Sequence, residues 1–143
     1  METDTVKLLR ECDAGVEMGV SSISDVLERV ENPKMKEMLS SCKLSHEKLG
    51  LEISKSLSAY GDGGKSPNPI AKSMSWMKTN AELSFRPSDK TVASLMTDGC
   101  NMGIKSLNRY LNQYKAADEK SKQTAKKLVS LEEGLVNDLR EFL

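Results

Sequence analysis

The chain has 143 residues, of which 38% are hydrophobic and 29% charged, and its 21 basic and 21 acidic residues give a formal net charge of zero. This length suits one domain with a single core, and the composition excludes a disordered chain. Interspersed charges of both signs, an aromatic content of 4% and the lack of a long apolar run exclude a basic nucleic-acid binder and a membrane-spanning protein. We therefore expect one domain over residues 1–143, with neither a nucleic-acid nor a membrane partner.

Four amphipathic segments predict four long helices. In each segment apolar residues recur every three or four positions, as they do on one face of a helix, and we find no strand-like alternation of useful length. The segments run from about Asp4 to Val30, from Pro33 to Tyr60, from Ser88 to Tyr114 and from Asp118 to the last residue, and their apolar stripes include Tyr60 and Met102. Asn32 and Ser88 suit the caps of the second and third helices, and Pro33 suits a first helical turn.

The connections between these helices predict the topology. Short breaks after the first and third helices favour two antiparallel hairpins. The middle connection, about residues 61–87, opens with the linker GDGGKSPNP and contains IAKSMSWMKTNAEL, a candidate short helix. It is long enough to run the length of a bundle. Two hairpins joined by one long crossover define an all-α, ferritin-like four-helix bundle, and this is the predicted fold class.

A repeated segment places glycines inside two predicted helices. GVEMGVSSI, Gly15 to Ile23, and GCNMGIKSL, Gly99 to Leu107, share their Gly and Met-Gly positions, which favours an internal duplication of a hairpin. A glycine inside a helix costs about 0.5–1 kcal/mol relative to alanine. We therefore expect these glycines to make room in the core for large side chains such as those of Tyr60, Trp76, Tyr110 and Tyr114.

Several segments together resemble a known family. CDAGVEMG, NPKMKEML, the helix from Cys42 to Leu49, and IAKSMSWM resemble a bacterial family of ferritin-like, rubrerythrin-related four-helix proteins of unknown function. The resemblance spans nearly the whole chain. It implies a four-helix bundle with a crossover segment, and it implies no known activity.

A ferritin-like fold raises the question of a di-iron site. Such sites take one Glu from each of two helices and a Glu-x-x-His pair from each of the other two. On the first helix the candidate ligand is Glu17, whose counterpart in the second repeat is Asn101. On the second helix His46 follows Lys43, where the pattern requires Glu. The ligand set is therefore degenerate, and we expect a structural or protein-interaction role without catalytic activity or a cofactor.

The remaining ligands define an alternative function. The fourth helix offers Glu132 or Glu133 near the matching level, and the sequence leaves open which of the two faces the core. Cys42 and His46 are four positions apart on one helical face, which suits zinc, and Cys12, Cys100 or Glu17 would complete a tetrahedron. The alternative is thus an iron- or zinc-binding or redox protein that uses Glu17, His46, Glu132, Glu133 and Cys42. The competing interpretation of His46 is a core histidine with hydrogen-bonded ring nitrogens.

The cysteines and the N-terminal residues bear on localisation. The three cysteines have no CxxC spacing, and METDTVKLLRECD has no secretory pattern of residues. A reduced, cytoplasmic setting is therefore expected.

Apolar residues outside the core stripes predict self-association. They are Leu8, Leu44, Leu51 and Val129. We expect them to support a homo-oligomer, most simply a dimer.

Overall fold

The computed structural model describes residues 3–61 and 88–143, which form four long α-helices and no β-strand. Helix α1 spans Asp4–Leu27, α2 Pro33–Ala59, α3 Asp89–Gln113 and α4 Glu119–Leu139, and a short 3-10 helix follows at Arg140–Phe142. No helix within these ranges is long and apolar enough to cross a membrane. The predicted all-α class and the four long helices are confirmed, whereas the predicted short helix lies outside the described residues.

Each of the four long helices begins at a side chain that accepts a hydrogen bond from an amide of the first turn. These caps are Thr3, Asn32, Ser88 and Asp118. Pro33 follows its cap at the first helical position, where its missing N–H is not needed. The predicted caps Asn32 and Ser88 are confirmed, and α1 ends three residues before the predicted Val30.

Hydrogen bonds between the helix ends fix the directions of the helices. At one end of the bundle the Asp89 carboxylate, in the first turn of α3, accepts hydrogen bonds from two consecutive amides of the α1–α2 loop. At the other end the Thr5 hydroxyl accepts from the Asp118 amide in the α3–α4 loop, and Tyr60, after α2, donates to the Asp118 carboxylate. Each hairpin is therefore antiparallel, and α2 ends at the opposite end of the bundle from the start of α3.

The buried core consists of two apolar clusters. The cluster nearer the α1–α2 loop contains Ile23, Val26, Val30, Met35, Leu39, Val92, Ala93, Met96, Cys100, Leu135 and Leu139. The cluster nearer the α3–α4 loop contains Val6, Leu8, Leu9, Cys12, Val16, Leu49, Ile53, Leu57, Leu107, Ala117, Ala125 and Leu128. Between them each of the four long helices places one residue close to His46 or Glu132 or contributes one of the two. These four residues are Gly19, His46, Gly103 and Glu132, and we call them the central layer.

Some residues assigned by periodicity lie elsewhere. Leu8, predicted to lie outside the core, is fully buried, and Val129 packs partly buried against the same cluster. Tyr60 and Met102, predicted to lie on core stripes, are exposed. Leu44 and Leu51 are exposed, as predicted, at 59% and 68% of their surface.

Candidate functional site

The central layer places two polar side chains at core positions of otherwise apolar helix faces. His46 comes three residues before the buried Leu49, and Glu132 comes three residues before the buried Leu135, so both point at the bundle axis. The residues are 1% and 4% exposed, respectively. Buried polar groups are costly unless they are paired, so these two side chains are expected to contact each other.

Both ring nitrogens of His46 have protein partners. Nε2 lies 3.1 Å from Oε1 of Glu132, and Nδ1 lies 2.9 Å from the backbone carbonyl oxygen of Cys42. The Cys42 sulfur is also 3.5 Å from Nδ1. A carboxylate and a carbonyl both accept hydrogen bonds, so a ring that donates from both nitrogens, the imidazolium, satisfies the two contacts together.

The balance of burial and hydrogen bonding favours this protonated ring. Burial by itself lowers the pKa of His46, but the hydrogen bonds to Cys42 and Glu132, together with the charge of Glu132, outweigh it and raise the pKa to about 10. His46 and Glu132 therefore form a buried ion pair at neutral pH.

Gly19 provides the space that the imidazole ring occupies. A Cβ atom added to Gly19 would lie 3.0 Å from Cδ2 and 3.2 Å from Nε2 of His46, closer than most side-chain contacts allow. A Cβ atom on Gly103 would lie 3.9 Å from Cδ of Glu132, an ordinary contact. Gly19 thus makes room for the imidazole ring of His46. Tyr110 and Tyr114 instead stack on each other with ring centroids 6.2 Å apart, and Trp76 lies outside the described residues.

The second oxygen of Glu132 lies in an unusual environment. Oε2 is buried and has no hydrogen-bond partner of ordinary geometry within the described residues. The Cys100 thiol is close to the same carboxylate. Burial, followed by the charge of Glu132 and a hydrogen bond to it, raises the pKa of the Cys100 thiol. That thiol therefore remains protonated beside the ion pair.

Only some of the predicted metal ligands come together. His46, Glu132 and Cys42 are neighbours, whereas Glu17 and Glu133 are exposed on α1 and α4. The choice between Glu132 and Glu133 is thereby resolved in favour of Glu132. Within residues 3–61 and 88–143, no group of three or more histidine, cysteine, aspartate or glutamate side chains is arranged to hold a metal ion.

Comparison with known proteins assigns neither a family nor a function to this chain. No protein-family model, curated protein or solved structure matches this chain. The functional argument therefore depends on the geometry of the central layer and of the described surface.

Proposed function

We propose that this chain is a ferritin-like helical bundle without catalytic activity, in which the His46–Glu132 ion pair occupies the place of a di-metal centre, and that it has a structural or protein-interaction role. One observation carries the proposal: both ring nitrogens of His46 are engaged by protein atoms. An imidazolium has no lone pair for a metal ion, because both nitrogens carry protons.

The residues of the central layer fit a di-metal centre poorly. Such a centre needs several carboxylates whose charges offset those of two cations. Of the predicted carboxylate ligands, Glu132 is buried in the layer while Glu17 and Glu133 face solvent. The positive charge of protonated His46 already balances the charge of Glu132, so this pair needs no metal ion to be neutral.

The helix directions support the ferritin-like topology. The end of α2 lies beside Asp118, and the start of α3 lies at the other end of the bundle beside the α1–α2 loop. A helix the length of α1, 24 residues, is about 36 Å long. Residues 62–87 join two ends separated along the bundle, as the crossover of a ferritin-like protein does.

A cytoplasmic location forms part of the proposal. All three cysteines are free, and two of them are buried. Unpaired thiols are typical of a reducing compartment, which supports this location.

Self-association through the outer face of α2 also forms part of the proposal. Leu44 and Leu51 are seven residues apart and are both exposed, so they lie on one side of that helix. Sedimentation or light scattering at several protein concentrations tests this assembly, and a monomer at every concentration contradicts it.

The alternative, a metal-binding or redox protein, has one observation in its favour. Oε2 of Glu132 is buried without an ordinary hydrogen bond, and the Cys100 thiol is close to the same carboxylate. A buried acceptor without a donor is costly, and an iron or zinc ion would satisfy it.

Metal analysis separates the two functions. We expect protein purified without an affinity tag to contain less than one equivalent of iron, manganese or zinc, and its melting temperature to be unchanged by added Fe(II) or Zn(II). A ligand that binds only the folded state must raise the melting temperature, so such a rise contradicts the proposal. Stoichiometric metal that Glu132→Gln removes and the exposed control Glu17→Gln retains contradicts it equally.

A further inference from the structure

A surface groove runs between α2 and α4, on the outside of the bundle. Ser45 on α2 and Ser130 and Gly134 on α4 line its central part, and these short side chains leave space between the two helices. Lining residues extend from Met38 to Ala59 along α2. That span corresponds to a groove about 30 Å long.

The rims of this groove are basic in its part nearer the α3–α4 loop. Five exposed lysines line it, namely Lys48, Lys55, Lys120, Lys126 and Lys127. The acidic lining residues are Glu52 and Asp138, and Glu52 is paired with Lys127 across the groove at 3.7 Å. The lysines of the lining outnumber its carboxylates, and this excess concentrates a positive potential in the groove although the whole chain has no net charge.

The floor of the groove is apolar. Leu131 lies half-buried at its base, and Leu49 and Leu135, which are 5% and 2% exposed, lie beneath it as part of the core. An elongated groove with an apolar floor and charged rims is the geometry that receives an amphipathic helix. Basic rims select a helix with carboxylates on either side of its apolar face.

We propose that the α2–α4 groove binds an acidic amphipathic helix of a partner protein, with the apolar face of that helix on Leu49 and Leu131 and its carboxylates against the groove lysines. This inference rests on the proposed interaction role, but it uses no residue of the central layer. The concave apolar floor disfavours a flat membrane surface. Leucines also offer no hydrogen bonds or aromatic rings to nucleic-acid bases, so they disfavour a nucleic acid.

Nuclear magnetic resonance of the full chain tests the proposal. The probe is a synthetic helical peptide of about 20 residues, enough to fill the groove, with leucines on one face and glutamates elsewhere. We expect its addition to shift the amide signals of Ser45 and Ser130, with a dissociation constant of about 100 µM or below. A control peptide with lysine in place of every glutamate is expected to leave these signals unchanged.

Paired charge reversals locate the binding site. The double variant Lys48→Glu/Lys126→Glu reverses the charge of one lysine on each rim of the groove. The control variant Lys90→Glu/Lys105→Glu reverses the charges of two exposed lysines of α3 and changes the net charge by the same amount. We expect the first variant to bind the acidic peptide at least about tenfold more weakly and the second to bind like the wild type. All four side chains are exposed, so folding is expected to be unaffected, and the melting temperature of each variant checks this.

Four results overturn the inference. They are the absence of shifts at millimolar peptide, equal weakening by both variants, equally tight groove binding of a DNA duplex or phosphatidylserine vesicles, and shifts at Ser130 on α4 that appear on concentrating the chain without peptide. The last result identifies a second copy as the occupant. A failure of peptide binding in metal-free protein removes this inference alone, whereas stoichiometric metal removes the proposed function alone.

Discussion

The two glycine-containing segments have similar sequences but different surroundings. A Cβ atom on Gly19 would lie 3.0 Å from the His46 ring, whereas one on Gly103 would lie 3.9 Å from Glu132. Gly19 therefore gives space to a ring held by two hydrogen bonds, while the space beside Gly103 also admits a methyl group. A repeat in the sequence predicts similar helix positions, but the contacts at each position depend on the helix that packs against it.

The largest expected effect comes from breaking the ion pair opposite Gly19. Glu132→Leu leaves the His46 imidazolium buried without its carboxylate, which is expected to cost about 3–5 kcal/mol of unfolding free energy. Chemical denaturation measures this loss. The double variant His46→Leu/Glu132→Leu buries no charge and is expected to be more stable than Glu132→Leu alone. A loss below about 1 kcal/mol in Glu132→Leu contradicts the buried ion pair.

A second effect is the pH dependence of the pair. The pKa of His46 rises from its usual 6.5 to about 10 in the folded chain. Its contribution to stability is therefore complete below pH 6.5 and is lost as the pH rises through about 10, by at most about 1.4 kcal/mol per pH unit. Denaturation of wild type and His46→Gln between pH 6 and 10 measures the difference, because most other groups titrate equally in both.

The groups around His46 determine how this pH dependence is interpreted. Glu132 on α4 and Cys42 on α2 contact the ring, Cys100 on α3 contacts Glu132, and α1 presents Gly19, which has no side chain to titrate. Burial raises the pKa of Cys100, so its thiol does not lose a proton in this range. Parallel stability curves for the two proteins contradict a raised pKa of His46.

A substitution of Gly19 on α1 tests whether this glycine makes room for the His46 ring. Gly19→Ala pushes a methyl group against a ring that hydrogen bonds hold in place, and we expect a loss of about 1–2 kcal/mol after the gain in helix propensity is included. In a His46→Ala background the ring is absent, so the same substitution is expected to be neutral or stabilising. An equal loss in both backgrounds contradicts the assigned contact.

The smallest effect on stability is expected from a substitution of Gly103 on α3. Gly103→Ala places a methyl group in ordinary contact with Glu132, so the gain in helix propensity dominates and stability rises by about 0.5–1 kcal/mol. Gly134→Ala serves as the reference, because a Cβ atom there meets nothing within 4 Å. If Gly103→Ala is destabilising while Gly134→Ala is stabilising, the space beside Gly103 is as restricted as the space beside Gly19. That result contradicts the difference between the two glycines.

Local features of the fold could be predicted from the sequence. Apolar periodicity and the side chains of Asn32 and Ser88 define helices and caps because both act within one or two turns. The core position of His46 follows from the same period. Leu8 shows the limit of this argument: a helix in contact with several others buries a wide face, so a residue outside a narrow stripe can still be buried.

Contacts between distant residues could not be predicted in the same way. His46 and Glu132 are 86 positions apart, and a choice between two adjacent glutamates requires the rotation of α4 to be known. The basic groove could not be predicted for the same reason, because its lysines come from two helices that are distant in the sequence. Acidic residues elsewhere, such as Glu17 and Asp25 on α1, balance the charge of these lysines in the total. The net charge of the chain therefore does not reveal the local charge of a groove, which depends on which helices are neighbours.

The protonation of His46 is the most direct test of the central claim. The chain contains one histidine, so long-range proton–nitrogen spectra of its ring need no assignment. We predict that at pH 8 both ring nitrogens of the metal-free protein carry protons and that this state persists until the pH approaches about 10. A ring that is neutral at pH 8, or that titrates near 6.5, contradicts the proposed ion pair.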